Sequence, residues 1–210
     1  MCNRYEQAAI QEAKDALNAI IETPFNVGGN IIHPQSPGLV VKQANGRRVL
    51  TNMTWGFPLI LAEARERAKA KWVQVKPKPV NNARTDKLGT GFWSKWTDPV
   101  HRCLIPVHAY AEAVGQKGRM SEAWMNVPGE SLFAVAGIWR PSAEWGDCYS
   151  MIMTEAAGEA ATVHSRMPVI LAASDQSPWL EQQLSDALHL CTSWAGPLTV
   201  NRTEILWARQ

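Results

Sequence analysis

Apolar positions change their period several times along this chain, and each change marks an element. Over residues 5–22, Ile10, Ala13, Leu17, Ile20 and Ile21 recur every three to four residues, which predicts an amphipathic helix ending before Pro24. A Gly-Gly-Asn loop at 28–30 leads to Pro34 and Pro37. Next come two apolar runs, Leu39-Val40-Val41 and Val49-Leu50, around the turn pair Asn45-Gly46. That arrangement predicts a β-hairpin running on toward Trp55-Gly56. Residues 59–71 have helical composition with several charges, and Lys76-Pro77-Lys78-Pro79 then predicts an extended, polyproline-like segment.

From residue 102 onward β signals dominate. Residues 103–106, 132–136, 149–153 and 167–171 are short apolar runs set apart by Gly, Pro and polar residues. A helix is expected after them, with Ser177 as N-cap, Pro178 at its first position, and Leu180, Leu184 and Leu188 on its apolar face. No internal repeat or linker divides the chain. The expectation is one α+β domain over residues 1–210, with a curved, barrel-like mixed β-sheet and flanking helices.

Composition narrows this picture. The 210 residues are 46% hydrophobic, enough for a substantial core, and a net charge of +2 leaves room only for local basic patches. The four cysteines Cys2, Cys103, Cys148 and Cys191 form no C-x-x-C pair, which favours a reduced, intracellular (cytoplasmic) chain. No signal peptide and no membrane-length apolar run is present. Trp72, Trp93, Trp96, Trp124 and Trp145 sit among polar residues. Any of them left exposed would offer a stacking surface, although partial burial is the commoner fate.

The start, Met1-Cys2-Asn3-Arg4, carries the most specific chemistry. Removal of Met1 would leave Cys2 with a free α-amine and a thiol on adjacent carbons. Such a 1,2-aminothiol condenses with an aldehyde to a five-membered thiazolidine. Reference pKa values of about 8 and about 8.5 leave both groups partly deprotonated near neutrality. Three other places carry candidate chemistry. In Asn82-Ala83-Arg84 an amide that can hold a substrate oxygen neighbours a bidentate phosphate grip, although alone it reads as a loop turn. Glu112 stands among small apolar residues, where desolvation would raise its pKa toward proton-transfer duty; an outward-facing edge position is the competing reading. His164 precedes an apolar strand and could move a proton, with Arg166 beside it. No second histidine or cysteine stands at ligand spacing, so no zinc site is expected.

Taken in order, Met1-Cys2-x-Arg4, Trp55-Gly56, Asn82-Ala83-Arg84, Arg102-Cys103-Leu104-Ile105-Pro106 with Glu112 behind it, Ala136-Gly137-Ile138-Trp139 and His164-x-Arg166-Met167-Pro168 resemble the SRAP family, the SOS-response-associated peptidases. The resemblance spans about residues 1–175. It implies an enzyme without cofactor or metal that binds single-stranded DNA carrying abasic sites and captures the sugar aldehyde as a covalent thiazolidine. By that match Cys2 is the nucleophile. Asn82 positions it, Glu112 assists ring opening, and His164 assists proton transfer and reversal. Arg4, Arg84 and Arg166 hold flanking phosphates, and Trp55 belongs to the DNA surface. A monomer associated with the nucleoid would fit this role. Two other functions fit the same scaffold: an N-terminal-cysteine (auto)peptidase, and a non-catalytic module that binds single-stranded DNA or a partner.

The chain departs from the family pattern at several points. Asn3 stands where Gly is usual, Ala111 and Ala113 replace aromatics around Glu112, and Ser165 replaces a common Asp. Asn30-Ile31-Ile32-His33-Pro34 carries one extra residue. These changes leave the four proposed catalytic residues in place. They suggest a divergent, phage- or prophage-borne branch.

Overall fold

The structure is a computed structural model and describes residues 2–71, 73–116 and 118–207. Expectations about Met1 and Trp72 lie outside the described residues. Strand β1 (Arg4–Gln7) precedes helix α1 (Ile10–Ala16), followed by β2 (Ile31–Ile32), β3 (Pro37–Ala44), β4 (Arg47–Trp55), β5 (Phe57–Leu59) and helix α2 (Ala62–Lys71). Next come β6 (Lys78–Val80), β7 (Asn82–Arg84), β8 (Arg102–Val114), β9 (Ser121–Asn126), β10 (Phe133–Arg140) and β11 (Cys148–Glu155). Helix α3 (Gly158–Ala161), β12 (Arg166–Pro168), β13 (Ile170–Leu171), α4 (Gln176–Glu181), α5 (Leu184–Ala187) and β14 (Thr199–Leu206) complete the order.

Twelve of these strands form one mixed sheet. Five of them close on themselves: β8 pairs β10, β10 pairs β11, β11 pairs β4, β4 pairs β3, and β3 returns to β8. The β11–β4 and β11–β7 pairings are parallel. The fold is thus the expected α+β arrangement with a partly ring-like sheet. The β3–β4 hairpin turns at Asn45 and Gly46, whose φ values of 50° and 73° are those of the turn the Asn-Gly pair demands.

The central stretches of β3, β8, β10 and β11 are buried on both faces, which explains why they read as continuous apolar runs rather than alternating ones. Leu39 and Val41 of β3, Leu104 of β8 and Ile152 of β11 pack with Ala13, Leu17 and Trp179 of the helices. The opposite faces contribute Val40, Cys103, Ile105, Tyr149, Met151 and Met153 to a second cluster, which Cys2 and Tyr5 complete. Gly38 makes room for this cluster. A Cβ there would lie 2.2 Å from the Tyr149 hydroxyl and 2.3 Å from that of Tyr5.

Two helical expectations are corrected. Residues 5–22 are not one helix, because Arg4–Gln7 pairs antiparallel with β8. The helix also ends early: Asn18 takes a φ of 48°, and Ile20 is drawn to β4, where its N–H donates to the Arg48 carbonyl at 2.9 Å. Near the other end, the single helix expected after Ser177 splits in two. The buried Arg102 guanidinium donates to the Trp179 and Gln182 carbonyls at 2.8 Å each, and Gln182 and Gln183 become extended between α4 and α5. Ser177 lies inside α4 rather than capping it, and Leu188 is 41% exposed instead of packing. Trp93 is buried, and Trp96, Trp124 and Trp145 are partly buried.

Candidate active site

The site begins with β1, because its pairing with β8 sets Arg4 beside Ala111 and so brings the chain start next to Glu112. On the far side, β7 lies parallel to β11, with Asn82 beside Met151. Asn81 is anchored by its own carbonyl, which accepts the Met151 N–H and the Trp55 indole N–H, both at 3.0 Å. The Asn81 and Asn82 side-chain amides then donate to the Cys2 carbonyl at 2.9 and 2.7 Å. Asn81 also donates to the Asn3 amide oxygen at 3.0 Å, which gives the unexpected Asn3 a structural partner. The buried Oδ1 of Asn82 has no hydrogen-bond partner among the described residues.

The Cys2 thiol is fully buried and donates to the Arg4 carbonyl at 3.3 Å. Burial, with the Glu112 charge second, pushes its pKa well above the usual thiol value, so it rests protonated. Glu112 is 3% exposed, and desolvation raises its carboxyl to about 7. The edge-strand reading of Glu112 is therefore overturned: β8 has β1 on one side and β9 on the other at this point. His164 is held by the Arg166 N–H, which donates to Nδ1 at 2.9 Å and leaves the proton of the neutral ring on Nε2. Desolvation lowers its pKa, so the ring is neutral at pH 7.

Glu112, His164, Asn3, Asn81 and Arg4 line one cleft of about 880 Å³. A second cleft, of about 480 Å³, is lined by Arg84, Asp86, Arg166 and Thr154. There Arg84 grips Asp86 through Nε and Nη2 at 2.8 and 2.6 Å, and Arg166 stands 3.9 Å from the same carboxylate. The two clefts are close along the chain: Asn81 of the first and Arg84 of the second are three residues apart, and His164 and Arg166 two.

Two expectations change here. Trp55 is wholly buried, stacked 6.5 Å from Tyr149 and edge-on to Tyr5 at 5.0 Å, so it has no face for DNA and serves to hold Asn81. Arg4 is ion-paired with Glu122 and covered by the Trp207 ring at 4.5 Å, so its charge is already met inside the protein. The sequence reading missed Asn81, Glu122 and Trp207. Asn81 had a signal in its adjacency to Asn82. Glu122 and Trp207 had none, because Arg4, which both of them meet, lies more than a hundred residues away.

A near-neutral carboxyl and a neutral imidazole line this cleft, and a buried thiol whose proton affinity feels the Glu112 charge lies at the chain start beside it. This chain belongs to the SOS response associated peptidase (SRAP) family, whose model matches residues 1–204. No curated protein matches its sequence. Among solved structures, it is similar to a Bordetella bronchiseptica protein at 20% identity, with a TM-score of 0.74 over 96% of this chain and 99% of that one. A Bacteroides thetaiotaomicron protein matches at 17% identity and TM-score 0.71, over 96% and 91% of the two chains. A phage-related protein of Bordetella bronchiseptica matches at 18% and 0.70, over 96% and 94%. At such identities these likenesses speak for the fold. Among the described residues no cluster of His, Cys, Asp or Glu is placed to hold a metal, and no helix is long and apolar enough to cross a membrane.

Proposed function

We propose that the protein captures abasic sites in single-stranded DNA by a covalent bond to Cys2, after removal of Met1 frees the Cys2 α-amine. The observation that carries this reading is the double amide clamp on the Cys2 carbonyl, held beside a carboxyl raised to about 7. A clamp on a backbone carbonyl fixes the residue by its main chain and engages neither its amine nor its thiol.

The chemistry balances as a condensation. The closed sugar of an abasic site opens to its aldehyde when a proton leaves the anomeric hydroxyl and another reaches the ring oxygen. Glu112, titrating near neutrality, is suited to pass that proton. The α-amine then adds to the aldehyde carbon and water leaves, giving an imine. The thiol adds to the imine carbon, its proton passes to nitrogen, and the thiazolidine closes with one water released overall. The Asn82 Oδ1 is an acceptor for the α-amine. His164, neutral with its proton on Nε2, donates to the departing or returning oxygen. Arg84 and Arg166 grip a neighbouring phosphate in the second cleft, where a carboxylate already binds in the same bidentate geometry.

The test is a denaturing gel of protein, with Met1 removal verified by intact mass, incubated with an oligonucleotide carrying one abasic site. A shifted band that Cys2→Ala abolishes is the expected result. Absence of the band from correctly processed protein overturns the reading.

A further inference from the structure

Trp207 lies outside the residues matched by the family model, yet it lines the same cleft as Glu112 and His164. Its place follows from the sheet. β9 continues the β8 hairpin, β14 adds a strand with Leu206 opposite Ser121, and the Trp207 N–H donates to the Met120 carbonyl at 2.7 Å. One face of the ring is held by the Arg4 guanidinium, 4.5 Å from its centroid. Arg4 is itself held by the Glu122 carboxylate, whose other oxygen accepts the Trp124 indole N–H at 2.7 Å. An indole braced this way on one face and only half-buried is an aromatic surface on a cleft whose lining also includes the small Ala113.

We propose that Trp207 is a stacking platform for an unpaired base next to the abasic nucleotide. This rests on the proposed function, because it takes single-stranded DNA as the ligand. Every base has a π face, so the platform would select for a base at that step without selecting which one. The abasic nucleotide cannot fill it, and a neighbour can.

The experiment uses oligonucleotides with one central tetrahydrofuran, an abasic analogue that cannot crosslink. In one set its neighbours are adenines, and in the other they are tetrahydrofurans. Fluorescence anisotropy at fixed salt should give roughly ten-fold tighter binding of the adenine-flanked oligonucleotide. Trp207→Ala should erase that difference, and Trp207→Phe should keep most of it. Equal weakening of both oligonucleotides by Trp207→Ala would overturn the platform and leave a purely structural brace. So would a wild-type protein indifferent to the neighbours. If it still crosslinks a true abasic site, the inference fails alone. If neither binding nor crosslinking occurs, the proposed function fails with it.

Discussion

Asn82 and Arg84 stand two residues apart on one short strand, yet they inhabit opposite electrostatic worlds. Asn82 is buried, uncharged and committed to the Cys2 carbonyl, whereas Arg84 is exposed and holds Asp86 in a salt bridge at the surface. The step from His164 to Arg166 repeats the contrast. His164 is a neutral imidazole whose pKa burial has lowered, and two residues later Arg166 presents a cation to the same Asp86. Burial shifts the proton affinity of Glu112 up and of His164 down. Solvent around Arg84 and Asp86 screens their ion pair. One strand thus joins a buried amide and an exposed cation within about 7 Å of chain, two residues at the usual rise.

The contrast can be broken at either end, and the buried end should give the larger effects. Glu112→Gln should slow crosslinking about 100-fold at pH 7, the scale of a lost general acid–base group. It should also remove the inflexion near pH 7 from the rate profile, which single-turnover gels across pH 5–9 would read. The same substitution makes a stability prediction. A carboxyl raised in the folded state stabilises the fold relative to the unfolded chain below its ordinary value of 4.5 and loses that contribution as pH rises through about 7. The wild type should therefore lose up to about 3 kcal/mol across that window, at about 1.4 kcal/mol per unit, and Glu112→Gln should not; urea melts at pH 4.5 and 7.5 would compare them.

Asn82→Ala should cost roughly 10-fold in crosslinking rate while leaving affinity for a tetrahydrofuran oligonucleotide unchanged, because Asn81 still holds the Cys2 carbonyl. At the exposed end, Arg84→Ala should weaken single-stranded DNA binding several-fold, whatever its sequence. It should also lower the dependence of log K on log salt by about 0.7, the signature of one lost phosphate contact. Smallest of all, Asp86→Asn should leave the melting temperature unmoved within error, since an exposed ion pair contributes little to stability. Its effect on DNA affinity shows whether Asp86 competes with phosphate or only orients Arg84.

How much was legible from residues alone divides along the same line. Local signals were trustworthy where the chain decides its own conformation. The Asn45-Gly46 turn, the extended Lys76–Pro79 run and the apolar strands all rest on neighbours in sequence. The helix expected over 5–22 failed because β8 offered Arg4–Gln7 a hydrogen-bonding edge and β4 captured Ile20. The helix after Ser177 failed because one buried arginine took two of its carbonyls. In both cases a distant partner outbid local preference.

For the site, the sequence by itself determined which side chains are available and, through their order, the SRAP resemblance that the family match upholds. It supplied Cys2, Asn82, Glu112 and His164 as residue types able to do the chemistry. Only the tertiary structure decided what each is able to do: that Asn81 shares the clamp, that Glu112 is an interior carboxyl, that Arg4 is neutralised by Glu122, and that Trp55 is a buried brace while Trp207 faces the cleft. The physical reason is that proton affinity and charge depend on burial and on neighbours. Those neighbours are brought together by sheet pairings such as Arg4 with Ala111 and Ala113 with Glu122, which let side chains 118 positions apart, Arg4 and Glu122, meet.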